Sequence, residues 1–129
     1  MLFYQNQPTF TAFDGVALTN AYTGNRKAFE TKGFSKLSLE VSYAMGAAET
    51  SNTLEFQLET STDKVTWFPL VIDSTTTISA ISARAWQMSE GELSILVDIA
   101  NTNMRLSLKE TGVASNAGEA TVIVTLSGL

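Results

Sequence analysis

Apolar and polar residues alternate with a period of two along most of this chain, the signature of strands with one face buried. The clearest run sets Leu37, Leu39, Val41, Tyr43 and Met45 on one side against Ser38, Glu40 and Ser42 on the other. Leu54, Phe56 and Leu58 alternate in the same way with Glu55, Gln57 and Glu59. A polar turn, Ser61-Thr62-Asp63-Lys64, leads into Val65-Thr66-Trp67-Phe68, which predicts a β-hairpin with Trp67 set into the core beside Phe56. Pro69 has no N–H to give to a ladder, so this second arm is expected at a sheet edge or a bulge.

The remaining elements follow the same logic. Lys27 to Thr31 reads as a short strand closed by Gly33, and Gly46 to Asn52 as a loop. Arg84 to Met88 predicts a strand with Trp86 and Met88 on one face, and the threonine- and serine-rich stretch from Asp73 to Ala83 suits either an edge strand or a long loop. Ser89 to Glu92 turns the chain into Leu93, Ile95, Val97 and Ile99; Asn101 to Asn103 turns it again into Met104, Leu106 and Leu108, with Arg105, Ser107 and Lys109 facing out. After a loop of small residues, Val122, Val124 and Leu126 alternate with Thr121, Ile123 and Thr125. Seven or more short strands and no amphipathic helix give an all-β fold, a mainly antiparallel β-sandwich or jelly roll in a single domain over residues 25–129.

Residues 1–24 break the pattern. Phe3, Tyr4, Phe10, Phe13 and Tyr22 are scattered without a strand or helix period, and Pro8, Asn20 and Gly24 punctuate them. They predict an irregular N-terminal lead-in, either packing its aromatics on the sandwich or serving as an arm that docks Phe3, Tyr4, Phe10 and Phe13 on a neighbouring subunit as assembly contacts.

Composition narrows the function. At 129 residues and 44% hydrophobic, the chain can bury one good core. A net charge of −5 argues against nucleic acid and against an anionic membrane as partners. No apolar run approaches the roughly 20 residues that span a bilayer. Met1-Leu2-Phe3-Tyr4 runs straight into Gln5-Asn6-Gln7 without a basic flank, so no export signal is expected.

With no histidine and no cysteine, the usual nucleophile–base pairs and most transition-metal sites have no material. Paired carboxylates support glycoside hydrolysis. Here, however, Glu40, Glu55, Glu59 and Asp98 fall on outward strand positions, and Asp63, Asp73, Glu90 and Glu92 in turns. That distribution predicts a polar surface, no enzyme, no cofactor and no metal site, with Asp63 an ordinary turn aspartate rather than a calcium ligand. Trp67 and Trp86 raise the question of a sugar-stacking platform; Trp67 is read as core, and Trp86 stays open between core and an exposed binding residue.

Three runs carry a resemblance: GFSKLSLEVSYAMG, LEFQLETSTDKVTWFPLV and NMRLSLKETGVASNAGEATVIVTLSGL. They resemble the small β-sandwich virion proteins of tailed bacteriophages, in which a KLSLxVxY strand precedes an S-x-D-x-x-x-W hairpin and an R-x-S-x-K-E strand precedes the terminal one. Ser61, Asp63 and Trp67 hold the hairpin positions, and Arg105, Ser107, Lys109 and Glu110 the later strand; Lys64-Val65 stands where a glycine-containing turn is frequent. The resemblance covers residues 33–129 and implies a non-enzymatic capsid decoration or cement protein, made in the bacterial cytoplasm and bound in the virion to the major capsid protein, as a homo-oligomer. Neck and tail accessory proteins share the pattern. A carbohydrate-binding module, on a virion fibre, is the alternative from another class, and a small glycosidase a third.

Overall fold

The computed structural model describes residues 8–70, 84–99 and 101–128, and within them the regular structure is almost wholly strand. In order these are β1 (Thr9–Ala17), β2 (Asn25–Glu30), β3 (Lys36–Ala44), β4 (Thr53–Ser61), β5 (Phe68–Pro69), β6 (Arg84–Met88), β7 (Gly91–Asp98), β8 (Asn103–Thr111) and β9 (Glu119–Ser127). A short 3-10 turn, Tyr22–Gly24, lies between β1 and β2. One sheet has the order β1-β9-β3-β7; the second has the order β2-β8-β4, with β5 and β6 both pairing along the far edge of β4. Every pairing is antiparallel. A four-stranded and a five-stranded sheet in this order form the jelly roll, so the all-β sandwich expected from the alternation is the fold.

The inward sets meet between the sheets. Leu37, Leu39, Val41 and Tyr43 of β3 and Val122, Val124 and Leu126 of β9 face Leu54, Phe56 and Leu58 of β4 and Met104, Leu106 and Leu108 of β8. All are buried, each contributing ~1.5–3 kcal/mol relative to exposure. On the edge strand β7 only Val97 is fully buried; Leu93 and Ile95 are half covered, and Leu96, of opposite parity, is 67% exposed.

The N-terminal segment departs from expectation. Residues 9–17 form β1, which pairs with β9 from Thr9↔Thr125 to Ala17↔Glu119, so the sandwich begins well before residue 25. Its register breaks between Thr11 and Phe13 and again between Phe13 and Val16, and Gly15 takes φ +58° inside the second break. Each extra residue flips the alternation, which is why no period of two is visible there. Phe13 is buried in the core, and Phe10 meets Phe29 of the opposite sheet edge-on at 5.3 Å. These two aromatics are therefore taken up inside the fold rather than held out on an arm. Phe3 and Tyr4 lie outside the described residues, as does the stretch from Asp73 to Ala83.

Trp67, expected in the core beside Phe56, does not take that place, and Trp86, left open by the sequence, does. The hairpin after β4 exists, but its second arm pairs only through Thr60↔Phe68 and Glu59↔Pro69, at a sheet edge as Pro69 requires. This register puts Trp67 on the outward side with Glu59, away from Phe56. The partner of Phe56 is Trp86 on β6, stacked on it at 5.5 Å and 21°.

Candidate binding face

The outward residues of the β2-β8-β4-β6 sheet line up in rows fixed by register. One row joins Lys109, Glu55 and Gln87; the next joins Arg26, Ser107, Gln57 and Ala85; a third joins Ala28, Arg105 and Glu59. Opposite charges thus face each other across strands at both ends of the face. Arg105 places Nε at 3.0 Å and Nη2 at 2.6 Å from Glu59 Oε1, and its guanidinium lies 4.7 Å from the ring centre of Trp67. Lys109 Nζ lies 3.1 Å from Glu55 and 4.6 Å from the ring centre of Tyr22. Glu55 also accepts from the Tyr22 hydroxyl and, at 2.8 Å, from Gln87. Each ion pair therefore has an aromatic ring against its cation.

Electrostatics follow the contacts. The Tyr22 hydrogen bond, with help from Gln87 and Lys109, holds the Glu55 carboxyl below the ordinary glutamate range despite its partial burial. Burial and the hydrogen bond to Glu55 push the Tyr22 phenol well above its usual value. In the middle row, Arg26 Nε donates to Ser107 Oγ at 3.1 Å, and the Gln57 side chain has no hydrogen-bond partner among the described residues.

The tip beside this face is built from the turn after β4. Ser61 Oγ accepts from the backbone N–H of Asp63 and Lys64 at 3.2 and 2.9 Å and donates to Asp63 Oδ1 at 3.0 Å. Asp63 Oδ1 accepts from the N–H of Val65 and Thr66 at 2.8 and 2.9 Å, and these backbone donors lower its carboxyl. Asp63 is thus a turn residue. Lys64 takes φ +66°, the left-handed conformation that a glycine supplies in other such turns, and reaches Glu30 at 2.7 Å. What the turn displays is apolar: Val65 is 80% and Phe68 56% exposed.

At the other end of the sandwich, carboxylates hold loops. Glu110 is only 1% exposed; its Oε2 accepts from the Tyr43 hydroxyl at 2.5 Å and its Oε1 from the Gly118 N–H at 2.8 Å, tying the two sheets together. A Cβ on Gly118 would collide with the Ala44 carbonyl and Glu110 Oε2, so the close approach requires glycine. Burial, then the bond to Glu110, pushes the Tyr43 phenol far upward. Glu49 Oε1 accepts from three successive amides, Ala114, Ser115 and Asn116, at 2.8, 3.0 and 3.2 Å. Glu110 also lines a cleft of about 480 Å³ with Leu18, Thr19 and Asn20, but each of its oxygens already holds a donor of this chain.

Sequence reasoning placed Glu40, Glu55, Glu59 and Asp98 outward, where they are, with Asp98 paired to Lys36. It gave Tyr22 only as one of the scattered aromatics and missed its contact with Glu55, which depends on a 3-10 turn, as well as the buried role of Glu110. A signal for the latter existed, because Glu110 continues the inward series Met104, Leu106, Leu108 just as Tyr43 continues Leu37, Leu39, Val41. Among the described residues no three Asp or Glu side chains are grouped as a metal site needs, and no helix is long and apolar enough to cross a membrane. No protein-family model matches this chain, and no curated protein is significantly similar to it.

Proposed function

We propose that this chain is a non-enzymatic structural component of a tailed-phage virion, a decoration or cement protein that binds the major capsid protein of the head as a homo-oligomer. The observation that supports this most directly is the strand order, β1-β9-β3-β7 against β2-β8-β4-β6, an architecture that viral capsid domains share with lectins. That support lies at the level of fold, and the surface adds what a docking protein needs. Val65 and Phe68 stand out on a turn fixed by Ser61 and Asp63, so little ordering entropy is lost when a partner covers them. Each such side chain buried at a capsomer seam contributes ~1.5–3 kcal/mol, and binding only to the assembled shell stabilises it by mass action.

The test is to locate the chain in purified particles by electron cryomicroscopy and to add it back to particles stripped of it. Density over capsomer seams, with a higher temperature of genome release that Val65→Asp and Phe68→Asp together abolish, is the expected result. Absence from the particle overturns the reading. Density at the neck or tail would keep the structural role and remove the head assignment.

A further inference from the structure

The outer face of the β2-β8-β4-β6 sheet has a feature that shell reinforcement does not use. Tyr22 and Trp67 stand at its two ends, one against Lys109 and the other against Arg105. These cations are four residues apart on β8, so the two ring positions are separated by ~13 Å along the strand. Neither ring is loose. The Tyr22 hydroxyl is bound by Glu55, and the guanidinium against Trp67 is fixed by two hydrogen bonds to Glu59. In the row between them Ala85 is exposed, Ser107 lies fully covered beneath Arg26, and two side chains keep hydrogen-bonding groups not yet engaged. The Gln57 amide has no partner among the described residues, and Arg26 uses only Nε, toward Ser107.

The chemistry that fits is narrow. The two ion pairs cancel and Arg26 alone adds a charge, so the face offers neither the strongly basic field that a polyanion needs nor an acidic one. The two rings are separated by polar ground, unlike the continuous apolar centre of a protein interface. A ligand must present apolar C–H faces to two separated rings and hydroxyl groups to an amide and a guanidinium between them. We propose that this face binds an extended oligosaccharide, with Tyr22 and Trp67 as stacking platforms and Gln57 and Arg26 reading the hydroxyls between them.

The experiment is a nuclear magnetic resonance titration of the full chain with cellohexaose, maltohexaose and chitohexaose, each to millimolar concentration. At least one should shift the Trp67 indole N–H and the Gln57 side-chain amide while Ser38 and Thr125, on the outside of the other sheet, stay still. Trp67→Ala and Gln57→Ala should each weaken that sugar by about tenfold, the loss of one stacking or hydrogen-bonded contact, whereas Trp67→Phe keeps most of the affinity. An unchanged circular-dichroism spectrum guards against unfolding; if Trp67→Ala does not fold, Trp67→Phe, Gln57→Ala and the shift map decide. No shift with any of the three sugars, shifts confined to the other sheet, or binding indifferent to Gln57→Ala overturns the proposal. None of these readouts involves the particle, so this result and the location of the chain in a virion stand or fall separately.

Discussion

Replacing Tyr43 by phenylalanine removes one hydroxyl from the centre of the latch between the sheets and leaves the ring in place. The hydroxyl donates to a carboxylate that is 1% exposed, so its loss leaves Glu110 with the Gly118 N–H as its one remaining donor among the described residues. A hydrogen bond to a charged group contributes ~1.5–3 kcal/mol, and that is the expected loss of stability for Tyr43→Phe. Glu110→Ala strands both donors and opens a cavity, with an expected cost of ~3–5 kcal/mol. Glu110→Gln keeps an acceptor for Gly118 and should cost less than either. The assay is urea unfolding at pH 7 for the single variants and for Tyr43→Phe with Glu110→Ala. Once Glu110 is gone the Tyr43 hydroxyl has lost its acceptor, so Tyr43→Phe should then be nearly neutral, giving a coupling of ~1.5–3 kcal/mol. A Tyr43→Phe cost below ~0.5 kcal/mol, or the same cost in both backgrounds, would refute the latch.

Other expectations follow from the same contacts. Leu106→Ala, at a fully buried position on a central strand, should cost ~2–5 kcal/mol in chemical unfolding. Deleting residues 1–13 removes Phe13 from the core and half of β1 from its pairing with β9, so the truncated chain should melt at a markedly lower temperature; unchanged melting would show β1 to be dispensable. The amides of Ser115, Ala114 and Asn116 hold the Glu49 carboxyl below its ordinary value of 4.5. A lowered folded value means that the contribution is present above the ordinary, unfolded value and disappears as pH falls through the folded one. Hydrogen exchange at residues 114–116 should therefore accelerate in acid, after correction for the intrinsic rate, and Glu49→Gln should flatten the response.

Much of the sandwich was legible because β3, β4, β8 and β9 carry strict alternation, and a central strand buried on one side has only one register that keeps Leu39, Leu58 or Leu106 dry. β1 was not, because two breaks in register scramble the period by which a strand is recognised. The displacement of Trp67 from the place beside Phe56 has a different origin. Which side a residue faces after a turn depends on the number of residues in the turn, and Lys64 in a left-handed conformation sets that number here without a glycine to announce it. The binding face was half visible: the outward parity of Glu55, Glu59, Arg105 and Lys109 was in the sequence, but their row-by-row pairing is a property of strand register. Tyr22 joins them from a turn more than thirty residues from Glu55 in the chain, a placement that no local pattern carries.

The route by which the chain enters and leaves the sandwich has a mechanical consequence. The Leu126 N–H donates to the Pro8 carbonyl at 2.9 Å, so the start of β1 and the end of β9 sit side by side at one pole, opposite the carboxylate-held loops. Tension applied through these two points loads an antiparallel pair from its open end, so its hydrogen bonds give way one after another instead of sharing the force. β1 is also the outermost strand of its sheet and is already interrupted twice, whereas β9 keeps an unbroken ladder to β3. A tethered molecule therefore sheds β1 first, lengthening by ~30 Å at the usual rise per strand residue, while the rest of the sandwich is still closed.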